Sequence, residues 1–136
     1  AVPARSDDLW QPITDARIRA VAPLAPEGAL VFGPRGLAAV DRPTLIMIGT
    51  EDDPGQVIEA VSIFDYLGAT DKAMIAFIGQ DHMAMVMSEA AFARMRHFVT
   101  AFFGYHLQGQ EAYADLYSQT LVAQFDDLVW GPYTGE

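Results

Sequence analysis

The sequence predicts an α/β fold in which three parallel strands with flanking helices form an incomplete sheet. Three short apolar runs lack the polar–apolar alternation of a half-exposed strand. Such runs are typical of strands that helices cover on both faces. The segments after the second and third runs repeat their apolar residues with helical spacing. Because strands that alternate with helices are joined by βαβ crossovers, the predicted strands run parallel.

The predicted strands are the three apolar runs, which in chain order are Ile18–Ala22, Thr44–Ile48 and Ala73–Ile78. The first is followed by a loop rich in proline and glycine, Pro23–Gly36. Three parallel strands leave an edge that exposes unpaired backbone groups and apolar side chains. The sequence therefore predicts that further strands, from an upstream segment or from a partner chain, complete the sheet.

The predicted helices follow the second and third strands. Pro54–Leu67 places its apolar residues on one stripe and ends at a glycine, which is suited to a helix end. Ser88–Phe103 has a second apolar stripe, with Ser88 as its N-cap. A weaker pattern predicts a last helix within Gln110–Gln124, and residues 125–136 are expected to be irregular.

Composition limits the class of protein. The 136 residues fit one domain, and a hydrophobic content of 51% is enough to build its core. A formal charge of −10 would repel nucleic acid and anionic membrane surfaces, so neither is a predicted partner. No apolar run approaches the roughly 18–20 residues that span a bilayer. The absence of cysteine excludes disulfides and thiolate metal sites but leaves the cellular compartment undetermined.

Two of the predicted strands end in the same pattern, a glycine with an ionisable residue three positions later. The second strand ends in Gly49–Asp52 (GTED) and the third in Gly79–His82 (GQDH). The two motifs are separated by about 30 residues, the length of one βαβ unit. Neighbouring parallel strands lie about 4.8 Å apart and present their carboxyl ends at the edge where open α/β sheets bind ligands. Asp52 and His82 are therefore predicted to meet there.

An aspartate next to a histidine has a well-defined use in catalysis. The carboxylate bonds one imidazole nitrogen and fixes the tautomer, which leaves the other nitrogen free to take a proton from a serine hydroxyl. Asp52 and His82 are thus candidates for the acid and the base of a Ser-His-Asp triad. In α/β-hydrolases the nucleophile precedes the acid and the histidine, so it is expected before residue 1. The sequence has no Gly-x-Ser-x-Gly motif, and none of its serines lies at a predicted strand-to-helix turn: Ser6, Ser62, Ser88 and Ser118.

A second aspartate competes for the acid role. Asp53 precedes Pro54, and an aspartate N-cap before a proline is a common helix start. This structural role for Asp53 leaves Asp52 to pair with His82. The remaining histidines are not predicted to be catalytic: His97 and His106.

Four stretches of the chain carry a family resemblance: Arg17–Pro26 (RIRAVAPLAP), Phe32–Val40, Pro43–Asp53 (PTLIMIGTEDD) and Gly79–Met83 (GQDHM). Together they resemble the C-terminal half of the dienelactone hydrolase-like α/β-hydrolases. The branch most similar to this chain includes bacterial relatives of platelet-activating-factor acetylhydrolase. The resemblance covers roughly residues 17–110.

The resemblance implies that residues 1–136 form the C-terminal portion of one α/β-hydrolase domain. The nucleophile-bearing N-terminal portion would lie outside the chain, which alone is expected to be inactive. Asp52 then corresponds to the triad acid and His82 to the base, in the hydrolysis of a small-molecule carboxylic ester without metal or cofactor. The implied macromolecular partner is the missing N-terminal half or a partner chain. The alternative is a non-catalytic binding or interaction module derived from a hydrolase half.

A methionine-rich run, His82–Met87 (HMAMVM), begins at the candidate base. Methionines beside an active site typically form a flexible apolar wall, so Met83 and Met85 are predicted to contact the acyl or aryl part of the substrate. Phe32, in the proline- and glycine-rich loop, is predicted to line the same pocket or else to cover the edge of the sheet. Imidazole and thioether ligands also suit Cu(I), and this alternative predicts metal uptake that depends on the methionines.

Overall fold

The computed structural model describes residues 15–133. They form an α/β fold with an open three-stranded sheet and flanking helices. In chain order the elements are α1 (Ala29–Ala38), β1 (Thr44–Gly49), α2 (Pro54–Tyr66), β2 (Lys72–Phe77), α3 (Ala84–Met87), α4 (Glu89–Gln108), a 3-10 helix (Glu111–Tyr117), α5 (Gln119–Val122) and β3 (Leu128–Trp130).

The sheet has the order β1-β2-β3. The first two strands are parallel, from Thr44 opposite Lys72 to Gly49 opposite Phe77, as predicted. The prediction of three parallel strands is wrong in its third member: the first predicted strand makes only two isolated parallel bridges with β1, and the third strand of the sheet is β3, which was not predicted and runs antiparallel to β2. This strand also lies within residues 125–136, which were expected to be irregular. Its β-forming residues were too few to stand out as a periodic signal.

The first predicted strand, Ile18–Ala22, is not a continuous strand. This part of the chain pairs with β1 only through two parallel bridges, one from Val21 to Thr44 and one from Leu24, beyond the predicted strand, to Met47. Four backbone hydrogen bonds join the segments, but Pro23 has no N–H to add the one expected between the two bridges. The segment that pairs with β1 is therefore Val21–Ala25, which begins later than the predicted strand, and Pro23 interrupts its hydrogen bonding.

Of the three predicted helices, two are confirmed and one is wrong. Helix α2 follows the predicted range, and α4 begins after its predicted cap, Ser88, whose hydroxyl accepts a hydrogen bond from the Ala91 amide at 3.4 Å. The single helix predicted within Gln110–Gln124 is instead a 3-10 helix and the short α5. The extended backbone of Ser118 interrupts it, and the Ser118 hydroxyl caps α5.

The loop predicted over Pro23–Gly36 contains most of α1. A residue of another helix stabilises its start, because the Glu59 carboxylate accepts hydrogen bonds from the amides of Gly28 and Ala29 at 2.5 and 3.0 Å. Carboxylates favour helix N-termini, where amides lack partners within the helix. Inside α1, Gly33 has a φ of 62° and produces a kink. Glycine and proline thus mark a kinked helix here and not a loop.

Both faces of the sheet are covered, which explains why its strands do not alternate. One face packs against α4 and the residues that follow it: Leu45, Met47, Ile75 and Phe77 meet Met95, Phe98 and Phe102. The other face packs against α1 and α2: Ile46, Ile48, Met74 and Ala76 meet Leu37, Ala60 and Ile63. Among residues 15–133, none of the helices combines the length and the apolarity required to cross a bilayer.

Candidate functional site

The loops after β1 and β2 are bonded to each other at the carboxyl edge of the sheet. The Thr50 amide donates to the Phe77 carbonyl at 3.0 Å, which extends the pairing of the strands by one step. The Glu51 amide donates to the Gln80 carbonyl, also at 3.0 Å. The Thr50 hydroxyl accepts from the Gly79 amide at 2.9 Å. The two loops therefore form one connected structure.

The two glycines of the repeated pattern act differently. Gly79 has a φ of 70°, a conformation that glycine adopts readily, and it turns the chain off the sheet. Gly49 has no positive φ, and its role is to permit close approach. A β-carbon built on Gly49 would lie 2.1 Å from the backbone oxygen of Gln80. The missing side chain lets the histidine loop pass directly over the end of β1.

This close approach brings the two predicted residues together. The Nδ1 atom of His82 lies 3.2 Å from Oδ2 of Asp52. The other carboxylate oxygen of Asp52 accepts a hydrogen bond from the Asp53 amide at 2.9 Å. The Asp52 side chain is 2% exposed, whereas that of His82 is 55% exposed. A buried, anchored carboxylate thus holds one side of a ring whose other side faces solvent.

The neighbouring aspartates have structural roles. Asp53 is the N-cap of α2, and its side chain accepts from the Gly55 amide at 2.8 Å. The prediction for Asp53 is confirmed. Asp81, adjacent to His82 in sequence, accepts from the Ala84 amide at 2.6 Å. This bond places Asp81 at the start of α3 and leaves Asp52 as the carboxylate that contacts the ring.

The described serines also have structural partners. Ser62 donates to the Ile58 carbonyl within α2, while Ser88 and Ser118 cap helices. Ser6 lies outside the described residues. Within residues 15–133, Asp52 is the hydrogen-bond partner of the His82 ring, and no serine forms a hydrogen bond with it.

The residues predicted to bind substrate are only partly located. Phe32 and Met83 are both 58% exposed, the first on α1 and the second directly after His82. The side chain of Met85 lies outside the described part of the structure. A groove of about 500 Å³ adjoins Asp52, but neither Phe32 nor Met83 lines it. Its walls are Thr50, Asp52, Pro54, Val57, Ile58, Val61, Ser62 and Tyr133. The substrate-binding roles stay predictions.

No group of three histidine, aspartate or glutamate side chains in the described ranges is arranged to hold a metal ion.

Sequence reasoning missed two contributors to the site. These are the Thr50 hydroxyl and the close approach at Gly49. Both depend on the backbone of the other loop, which is adjacent in space but distant in sequence. The only local signal was that Gly49 and Gly79 end strands predicted to be neighbours.

The two other histidines lie away from this edge. His97 bonds the Leu116 carbonyl at 2.9 Å through Nε2. The His106 side chain, in the last turn of α4, is 7% exposed, with its Nε2 3.0 Å from the Tyr117 hydroxyl and 3.5 Å from Oδ2 of Asp71. Burial lowers the pKa of His106, and the nearby Asp71 carboxylate opposes this effect. Burial, with Asp71, raises the pKa of Tyr117 to about 12.

His106 is expected to make stability depend on pH. Its pKa in the folded protein is below the ordinary value of 6.5. As the pH falls below 6.5, the unfolded chain binds a proton that the folded chain resists, so the free energy of unfolding decreases. Urea unfolding at about pH 7.5 and about pH 5 measures this loss. We expect a smaller loss in His106→Gln and an unchanged loss in the exposed control His97→Gln. An equal loss in His106→Gln and wild type would contradict the assignment.

No protein-family model and no curated protein sequence matches this chain. The fold and the site define an α/β protein with a carboxylate–imidazole pair at the carboxyl edge of its sheet.

Proposed function

We propose that this chain is the acid- and base-bearing portion of a serine-type carboxylic ester hydrolase, similar to the dienelactone hydrolases. One observation carries the proposal: the buried Asp52 carboxylate lies 3.2 Å from Nδ1 of the half-exposed His82 ring. The order of the two residues along the chain and their position at strand ends also agree with the chain order of α/β-hydrolases.

The chemistry of the pair follows from its geometry. Asp52 accepts the Nδ1 proton, so the neutral ring presents an unprotonated Nε2 on its exposed side. A serine hydroxyl placed there transfers its proton to Nε2 as its oxygen attacks the ester carbonyl. His82 then carries a positive charge, which the Asp52 carboxylate stabilises. The same proton passes to the leaving alcohol oxygen as the tetrahedral intermediate collapses.

The acyl-enzyme is then hydrolysed with the help of the same two residues, His82 and Asp52. Water replaces the alcohol, His82 takes a proton from it, and the resulting oxygen nucleophile attacks the acyl carbon. The serine oxygen leaves with the proton from His82, which restores the resting state. Because the described serines have other hydrogen-bond partners and residues 1–136 contain no Gly-x-Ser-x-Gly motif, we assign the nucleophile to a segment outside residues 1–136. The oxyanion hole would lie mostly in the same segment.

A second candidate, a non-catalytic binding module, is favoured by the surface of α1. Leu30, Val31 and Phe32 are 90%, 79% and 58% exposed. Contiguous exposed apolar residues are typical of surfaces that bind another protein or another part of the same domain. In the hydrolase proposal, the nucleophile-bearing segment covers this surface. In the alternative, a partner covers it and no ester is cleaved.

Pre-steady-state hydrolysis of p-nitrophenyl acetate by the complete protein distinguishes the two functions. Acyl-enzyme formation predicts a burst of p-nitrophenol that is stoichiometric with protein, followed by slower turnover. His82→Gln should abolish both phases, whereas His97→Gln, a matched change at an exposed histidine, should preserve them. Absence of hydrolysis above the buffer rate would support the binding module. A burst that survives in His82→Gln would contradict the proposed mechanism.

A further inference from the structure

We propose that Thr50 is a positioning residue for His82: its hydroxyl anchors the histidine loop so that the ring stays within bonding distance of Asp52. This inference rests on the proposed function, in which the Asp52–His82 pair is the catalytic acid and base. Thr50 itself is not assigned contact with substrate.

Thr50 holds the start of the histidine loop from two sides. Its amide donates to the Phe77 carbonyl at 3.0 Å, and its hydroxyl accepts from the Gly79 amide at 2.9 Å. These two bonds span the last residue of β2 and the turn that follows it. The amide bond continues the sheet pairing, and any residue except proline could make it. The hydroxyl bond requires a side-chain acceptor, which threonine and serine provide and valine does not.

The anchored residue controls where the ring lies. Gly79 adopts a φ of 70°, which turns the chain off the sheet three residues before His82. Beyond it, the Gln80 carbonyl accepts from the Glu51 amide, and the Asp81 carboxylate accepts from the Ala84 amide. The loop between Gly79 and His82 is thus held at every residue. The bond to Gly79 is the one at the turn itself. Its loss is expected to let the turn shift and to displace Gln80, Asp81 and His82 with it.

Asp52 cannot compensate for a displaced ring. Its side chain is 2% exposed, and one carboxylate oxygen is engaged by the Asp53 amide. The His82 ring is 55% exposed, and Asp52 is its hydrogen-bond partner among the described residues. The ring position therefore depends on the backbone that carries it. A hydrogen bond weakens steeply as its length and angle depart from the favourable range.

The tautomer of His82 reports this positioning directly. Pairing with Asp52 requires the proton of the neutral ring to be on Nδ1, whereas an unpaired ring exchanges between both tautomers. Two-bond proton–nitrogen correlation spectra of the nitrogen-15-labelled complete protein, recorded at about pH 9 where imidazole is neutral, distinguish the two forms. Asp52→Ala gives the reference spectrum of an unpaired ring. A merely structural role for Thr50 would change stability and leave the tautomer unaltered.

We expect Thr50→Val and Thr50→Ala to move the His82 ring nitrogen signals at least halfway from the wild-type positions to those of Asp52→Ala. Thr50→Ser, which restores the hydroxyl, should keep the wild-type positions. Thr70→Val makes the same chemical change at an exposed threonine at the amino end of β2, and it should also have no effect. Two different Thr50 replacements allow the test to proceed if one of them fails to fold.

Wild-type signals in both Thr50→Val and Thr50→Ala would overturn the proposal, as would a Thr50→Ser shift as large as that of Thr50→Val. If Asp52→Ala moves the signals while the Thr50 variants do not, only the positioning role fails. If Asp52→Ala leaves the signals unchanged, the Asp52–His82 pair fails and the proposed function fails with it.

Discussion

Asp52→Asn is expected to lower ester turnover by the complete protein about 10⁴-fold, the loss typical of the corresponding change in Ser-His-Asp hydrolases. The asparagine amide can donate to Nδ1, which would favour the tautomer with a proton on Nε2. That nitrogen could no longer accept the serine proton. Because the carboxylate is buried and contacts His82 at 3.2 Å, water cannot readily take its place. The turnover number in steady-state hydrolysis of p-nitrophenyl acetate measures the loss.

Asp53→Asn is the matched control, since it makes the same chemical change one residue away. Asparagine is as good an N-cap as aspartate, so the hydrogen bond to the Gly55 amide can be retained. We expect a turnover within a factor of a few of wild type and a small loss of stability from the lost helix-terminus charge, about 0.3–1 kcal/mol. Equal effects of the two substitutions on turnover would refute the assignment of Asp52.

Gly49→Ala is expected to have the second largest effect. The new β-carbon would lie 2.1 Å from the oxygen and 2.8 Å from the carbonyl carbon of Gln80. Backbone must move to relieve such an overlap, because no flexible side-chain end is involved. A displacement of the histidine loop of about 1 Å would lower turnover about 10²-fold. The strain would lower the free energy of unfolding by about 1–3 kcal/mol.

Gly68→Ala separates the loss of positioning from the loss of stability. A β-carbon at Gly68 would lie 2.0 Å from the backbone oxygen of Ala38, at the opposite end of the β1–α2–β2 unit. We expect a similar decrease in the free energy of unfolding, measured by urea denaturation, and turnover close to wild type once both variants are assayed well below their melting temperatures. If the two alanine variants lost turnover equally, the effect of Gly49 would be one of stability alone.

The centre of the fold could be predicted because its local signals agree with its tertiary structure. β1 and β2 are apolar apart from their first residues, Thr44 and Lys72, and lie between two helical layers, so burial on both faces appears directly as a run without alternation. Helix α2 combines an apolar stripe with an aspartate cap and a proline at its start. At these elements propensity, capping and periodicity all favour the same structure.

The ends of the described chain could not be predicted because their structure depends on distant residues. Helix α1 begins where Glu59, in another helix, satisfies the free amides of Gly28 and Ala29. β3 has only three residues, and its pairing with β2 makes it a strand. Arg94 on α4 forms an ion pair with Asp127 and lies over the ring of Phe125, close to the start of β3. None of these long-range contacts produces a periodic sequence signal.

The residues of the candidate site could be predicted, but the contacts that hold them in position could not. Asp52 and His82 follow glycines at the ends of adjacent parallel strands, and topology alone brings such positions together. Their separation of 3.2 Å depends on contacts between the two loops that the sequence does not reveal. Phe32 and Met83 were predicted from their side-chain type and from their positions, in the loop after the first predicted strand and next to His82. Their exposure is compatible with a substrate wall built jointly with another segment.

Labelling of the complete protein with a fluorophosphonate probe, followed by identification of the labelled peptide, tests the catalytic claim most directly. The probe reacts with a serine only when a base activates its hydroxyl. We predict one labelled serine, outside residues 1–136, at the centre of a Gly-x-Ser-x-Gly motif. A catalytically competent preparation without a labelled serine, or with the label on any serine of residues 1–136, would contradict the account.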